Sequence, residues 1–332
     1  MRFLGNVLAT VIGIFVFMML SFFGIILIGV IFGGDSETVE VENNSVIELN
    51  LSDISDDYAG KYSDPWVTAF SERKKIGLTD VINAIEIAET DDAIKGISIL
   101  NTNSSLGMAQ SKELRDALNR FKKSGKFIYS YANNYSQKEY YLNSVANSIY
   151  INPIGELDFK GLSTEVMFFK DFQEKSGLKM EVIRHGKYKS AVEPFLENKM
   201  SDANKEQTMA LLNGIWTNIV EDISKSRNIP VEKLNTIANG LLARTPEMAK
   251  AQNLIDYIAY EDVYHNAIRK VLKVDKDEDY NTVSIADYTQ KTTTTSVNMD
   301  SNDAIAIVYA QGEIGSGEGD VNEIGEGSMR RS

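Results

Sequence analysis

The sequence predicts an α/β protein with a mostly parallel sheet, a helical extension behind it and one membrane-spanning helix in front. Three observations carry this reading. Strand-like and helix-like segments alternate at βαβ spacing from Ser45 to Ile183, the pattern of a parallel sheet covered by helices. From Ser201 the apolar residues recur at helical period. Phe3 to Gly34 carries no charged side chain and is dense in Val, Ile, Leu, Phe and Met. As a helix that run reaches ~48 Å, against a hydrocarbon core of ~30 Å. A cleaved leader has an apolar region of only ~7–15 residues and ends in a small-x-small site. Gly29-Val30-Ile31-Phe32-Gly33-Gly34 offers no Ala-x-Ala, so an uncleaved anchor is expected. Arg2 before the run and Asp35, Glu37, Glu40 and Glu42 after it place the N-terminus in the cytoplasm by the positive-inside rule.

Behind the anchor (1–34) comes an acidic stalk (35–44), and Ser45 to Leu51 reads as the first strand. Ser52 to Lys75 is polar and has no period. Leu78 to Ala88 is a helix with Thr79 as a capping candidate and Val81, Ile82, Ile85 and Ala88 on one face. Ile94 to Leu100 is a buried-type strand, followed by a polar turn over 101–107. Ser111 to Ser124 is a helix stopped by Gly125. Phe127 to Tyr131 is a strand, Ser136 to Ala146 a helix, and Ser148 to Ile151 a strand. Val166 to Lys175 is a helix ended by Gly177, and Lys179 to Ile183 a strand. These make one α/β unit over 45–200.

A helical extension spans 201–289. In it Ser201 to Ser226 carries Leu211, Leu212, Ile215, Ile219 and Ile223 near one face. Thr245-Pro246-Glu247 is a strong helix start, and Glu261 to Leu272 is a further helix. Residues 290–302 form a Thr-rich linker. Asp303 to Gly312 reads as a new strand that echoes the first, opening a second copy of the unit over 303–332.

Composition narrows the chemistry. The chain has 332 residues, a net charge of −13 and no cysteine, which argues against a nucleic-acid partner and removes disulfides and thiolate chemistry. With only His185 and His265 present, a histidine-based zinc site is not expected, and no cofactor is implied. A serine–lysine mechanism needs no imidazole. Its base candidates are Lys189 and, two residues away, Lys187, in His185-Gly186-Lys187-Tyr188-Lys189-Ser190-Ala191-Val192-Glu193-Pro194-Phe195. A lysine that accepts a proton at pH 7 must lose ~3 pKa units, which an apolar recess supplies. Tyr188, Ala191, Val192, Pro194 and Phe195 are the residues that suggest such a recess; a solvated loop lysine is the plainer alternative. Ser136 opens a helix after a strand and is first of all an N-cap. Ser190 adjoins Lys189, but neighbouring side chains on an extended loop point apart. The S-x-x-K spacings at Ser71/Lys74 and Ser176/Lys179 are short enough to arise by chance, and His185 is a remote candidate for a Ser-His-Asp site.

The segment Tyr188-Lys189-Ser190-Ala191-Val192-Glu193-Pro194-Phe195, followed by Met200-Ser201, resembles the lysine segment of the long, tandem-repeat type of signal peptide peptidase A, membrane-anchored serine peptidases of family S49. The resemblance covers nearly all of the chain after the membrane segment. It implies a ClpP/crotonase-like core, Lys189 as general base, and a nucleophilic serine in the second repeat, before which this sequence stops. In that second repeat the serine is followed by glycines and aromatics, whereas Gln137-Lys138-Glu139 follows Ser136 here, which argues against Ser136 as nucleophile. The resemblance further implies remnant signal peptides as substrates, a homo-oligomer of bowl-like form, contact with lipid through the anchor, and a soluble part on the periplasmic side of a bacterial inner membrane. A non-catalytic, membrane-tethered module that binds peptides or partners is the alternative of a different class.

Overall fold

The structure is a computed structural model and describes residues 2–32, 40–55, 57–59, 76–100, 103–295, 307–319 and 323–331. The chain divides into two units, residues 1–40 and 41–332. The first is helix α1 (Arg2–Phe32). Its Gly5–Ile25 span is long and apolar enough to cross a membrane, and none of it is buried. Phe15, Phe17 and Leu20 are all exposed, so the helix is apolar on every side and has no polar stripe.

The second unit is built on six parallel strands. These are β1 (Ser45–Asn50), β2 (Ile94–Leu100), β3 (Phe127–Ala132), β4 (Ser148–Ile151), β5 (Tyr257–Ile258) and β6 (Thr282–Ser284). Their order across the sheet is β5-β4-β3-β2-β1-β6, and every pairing is parallel. This is the α/β class with a mostly parallel sheet that the sequence predicts.

Strands β1 to β5 step in one direction, and right-handed crossovers then place their helices on one face. These are α2 (Leu78–Thr90), α3 (Met108–Lys123) and α4 (Gln137–Asn143). The step from β5 back to β6 runs the other way, and its helix α10 (Glu261–Leu272) covers the opposite face. There Tyr264, Ile268 and Leu272 pack on Val46, Tyr131 and Tyr150, and the Tyr264 hydroxyl meets buried Ser98 at 2.7 Å. Gly96 on β2 leaves room for the ring of Phe127 on the neighbouring strand, which a Cβ would meet at 2.6 Å.

Between β4 and β5 the chain forms α5 (Lys170–Ser176), α6 (Glu193–Leu196), α7 (Asp202–Arg227), α8 (Val231–Asn239) and α9 (Pro246–Ala251). Buried Arg115 of α3 joins this layer to the sheet helices. It donates to the Tyr141 carbonyl, the Ser144 and Ser226 hydroxyls and, at 2.9 Å, the Asp222 carbonyl. At the end of α7, Arg227 pairs with Asp256 through two bonds of 2.8 and 3.1 Å, and Asp256 also accepts from the Ile149 amide at 2.8 Å.

Several boundaries differ from the sequence reading. Gly77, without a side-chain bond, precedes α2, so Thr79 is not the cap. Helix α3 begins three residues earlier than expected, and α5 begins at Lys170 rather than Val166. The extension after Ser201 is not purely helical, because it returns to the sheet as β5 and β6. The Thr-rich stretch starts as helix: α11 (Ile285–Thr295) packs on α2, with Tyr288 buried and its hydroxyl 3.0 Å from the Asp91 carboxylate. The expected strand over Asp303–Gly312 lies partly outside the described residues; from Ile307 onward the chain is not paired as a strand until β7 (Glu313–Gly315), which pairs with β8 (Glu323–Gly325) ahead of α12 (Glu326–Arg331). Tyr309 stacks on Tyr58 at 4.7 Å, and the Gln311 amide bonds the Tyr58 backbone on both sides.

Candidate functional site

In open parallel sheets, ligands meet the chain at the carboxyl ends of the strands. Here that edge carries the loops after β2, β3 and β4, and beyond β4 a long projecting stretch over 160–200.

The edge is closed by side chains of α4. Ser136 is its N-cap, as expected: its hydroxyl accepts from the Glu139 amide at 3.3 Å, and Glu139 returns a bond to the Ser136 amide at 3.1 Å. This capping box satisfies two helix-end donors at once. The other oxygen of Glu139 accepts from the Ser104 amide at 3.2 Å. Lys138 donates to the carbonyls of Ser104 and Leu106 at 3.1 and 2.5 Å. The Gln137 side-chain Oε1 accepts from the amides of Lys160 and Gly161 at 3.0 and 2.8 Å. The Leu106 amide is bonded to the Ser104 hydroxyl, and that of Gly107 to Gln110. The amides of Ser104, Leu106 and Gly107, donors of the kind an oxyanion needs, are thus engaged by side chains.

The lysine segment lies in the projecting stretch. The residues expected to form the strand that leads into it, Lys179 to Ile183, pair with no strand among the described residues. A strand needs a partner for its backbone groups as well as β-type side chains, so Lys187 and Lys189 stand on an irregular loop rather than at a strand end. Both lysines are exposed, and Tyr188 is 47% exposed. The apolar recess expected around Lys189 is not formed within this unit. Tyr188 instead bonds Glu206 at 3.3 Å, while Phe195 stacks on Phe169 at 5.8 Å.

Between Lys160 and Met200 only Glu193 is buried. Its carboxylate accepts from the Ser201 hydroxyl at 2.6 Å, the Ser201 amide at 3.2 Å and the Asn204 side chain at 3.0 Å, and Arg184 lies 3.7 Å away. The Ser201 hydroxyl bond holds its pKa below the usual carboxylate range; burial opposes this, and the other two bonds and Arg184 add to it. Sequence reasoning missed this group, although Ser201 was recognisable as a helix start. Met167, Phe172, Leu178, Met180 and Ile183 of the same stretch are exposed, Ile183 completely.

Comparison with known proteins agrees with the resemblance. The model of "Peptidase family S49" matches residues 120–275. "Protease 4" of Haemophilus influenzae is 30% identical over 315 residues, which are 90% of this chain and 51% of that protein. "Protease 4" of Salmonella typhi is 33% identical over 258 residues, 75% of this chain and 41% of that one. The chloroplastic serine protease SPPA of Arabidopsis thaliana is 30% identical over 274 residues, 82% of this chain and 39% of that one. The parallel α/β unit is the frame on which these matches fall, and the chain belongs to peptidase family S49. It spans about half the length of the curated relatives it matches.

Proposed function

We propose that this chain is the lysine-bearing part of a membrane-anchored serine endopeptidase, with Lys189 as general base. The observation that supports it is the lysine segment around Lys189 in a chain of family S49; Lys189 is exposed in this unit, beside exposed Met180, Ile183 and Tyr188. A second unit of the same fold, from the same protein or a neighbouring copy in a homo-oligomer, completes the enclosure and supplies the serine. The capped Ser136 and the engaged edge of this unit favour a nucleophile from elsewhere. In the proposed reaction the Lys189 amine takes the serine proton as the serine oxygen attacks the peptide carbonyl. The lysine then returns that proton to the departing amine, and water releases the acyl group by the same route. Substrates are remnant signal peptides, matched to an enzyme held at the membrane by α1 as a single-pass anchor with its body on the periplasmic side.

The test is turnover of a fluorogenic peptide by the full-length protein. Lys189→Ala is expected to lower kcat by about 10³-fold or more, while Lys187→Ala stays within about threefold. Wild-type turnover by Lys189→Ala overturns the base assignment, and loss of turnover in Ser136→Ala overturns the placement of the serine. The engaged edge also suits a second reading, a non-catalytic tethered module, which full-length protein without peptidase activity would favour.

A further inference from the structure

We infer that Glu193 is a positioning residue for Lys189, the latch that fixes the base-bearing loop. This inference rests on the lysine's proposed role and deepens it.

The observation is an inversion of the usual pattern. A stretch of some forty residues exposes Met167, Phe172, Leu178, Met180 and Ile183, half-buries others such as Phe195, and buries one side chain only, a carboxylate. Burying an ionised group is costly unless its oxygens are met by donors. Here three donors meet them, from Ser201 and Asn204, and a guanidinium stands behind. Arg184 lies before Lys189 in sequence, Glu193 four residues after it, and Ser201 and Asn204 beyond. The carboxylate therefore closes the loop on itself around the lysine and pins it to the first turn of α7, a helix of 26 residues.

The backbone carries this constraint to Lys189. The Glu193 amide donates to the Ser190 carbonyl at 2.9 Å, and the Ser190 amide to the Tyr188 carbonyl at 3.0 Å. The peptide units on either side of Lys189 thus belong to one bonded turn that ends on the buried carboxylate. The lysine side chain stays free to reach outward while its Cα is held. That is what a base must have if it serves a hydroxyl on another unit: an ångström of misplacement costs as much as about 10²-fold in rate.

The experiment compares Glu193→Gln, Glu193→Asp and Lys189→Ala in the full-length protein, with kcat and KM measured separately on a fluorogenic peptide. Amide exchange over residues 186–197 is followed alongside. For Glu193→Gln we expect kcat to fall about 10- to 100-fold with KM within about twofold. Exchange over 186–197 should quicken at least about tenfold while the sheet strands keep wild-type protection. Glu193→Asp, which keeps the charge, should recover part of kcat. Wild-type kcat in Glu193→Gln, or unchanged exchange over 186–197, overturns the latch. So does a loss confined to KM or shared with the sheet. Lys189→Ala separates the two ideas: turnover that survives it sinks the base assignment, whereas a dead Lys189→Ala beside a fully active Glu193→Gln sinks the latch alone.

Discussion

The sheet and the stretch over 160–200 solve opposite problems. In the sheet, apolar side chains are inside: Val46, Ile47, Ile97, Ile99, Ile128 and Ile149 are fully buried, and the polar groups that share the interior, such as Ser98 and Ser130, are bonded. In the projecting stretch Met167, Phe172, Leu178 and Ile183 face solvent and the interior position is taken by Glu193. The first arrangement stabilises a unit by itself. The second keeps a loop in shape while leaving apolar surface for something else to cover. Stability and function are therefore expected to respond to different residues.

The largest effect on stability belongs to the body. Arg115→Ala removes a buried guanidinium and strands the acceptors it serves on α4 and α7. A loss of about 4 kcal/mol is expected, read from urea unfolding of residues 41–332. Tyr264→Phe deletes the partner of buried Ser98 and should cost about 1 kcal/mol in the same assay. The projecting stretch responds to acid instead. The Glu193 pKa is lowered on folding, with Arg184 the charged group facing it. Its contribution is thus complete above the ordinary carboxylate value and lost as pH falls through the lower, folded value. Protection factors over 186–197, which remove the intrinsic pH dependence of amide exchange, should stay constant down to the ordinary carboxylate range and fall below it, before the sheet opens. The smallest effect on unfolding is that of Ile183→Ser, within about 0.5 kcal/mol, because its side chain touches solvent only. The same substitution should weaken self-association in sedimentation. An Ile183→Ser protein that loses several kcal/mol in urea instead would erase the distinction between the two regions.

The body was largely legible in the sequence because its signals are local. The short apolar runs of β1 to β4, Ser136 as an N-cap, Thr245 before Pro246 and Gly125 at φ +88° are each decided within a few residues. Strands β5 and β6 were not legible, since two or three residues such as Tyr257-Ile258 become a strand only when a sheet edge is there to receive them. The same logic works in reverse at Lys179 to Ile183, where β-type side chains find no partner strand. The Thr-rich helix α11 was masked by poor intrinsic propensity, which the packing of Tyr288 and Thr292 overrides. For the candidate site, the lysine segment stood out in sequence and its surroundings did not. Exposure is a tertiary property, and the Glu193 bonds depend on a fold-back that no periodicity announces.

One topological detail bears on how this protein is made. Strand β1 leaves the ribosome before β2 to β6, yet it lies between β2 and β6, and its bond partners in β6 arrive roughly 230 residues later. At ordinary elongation speeds that delay is about 10–50 s. Throughout it the nascent chain carries an open edge on a strand buried at Val46, Ile47 and Leu49, the kind of edge that recruits other chains. Synthesis thus leaves a window in which Ser45–Asn50 has one edge without its final partner, and it closes when Thr282–Ser284 dock.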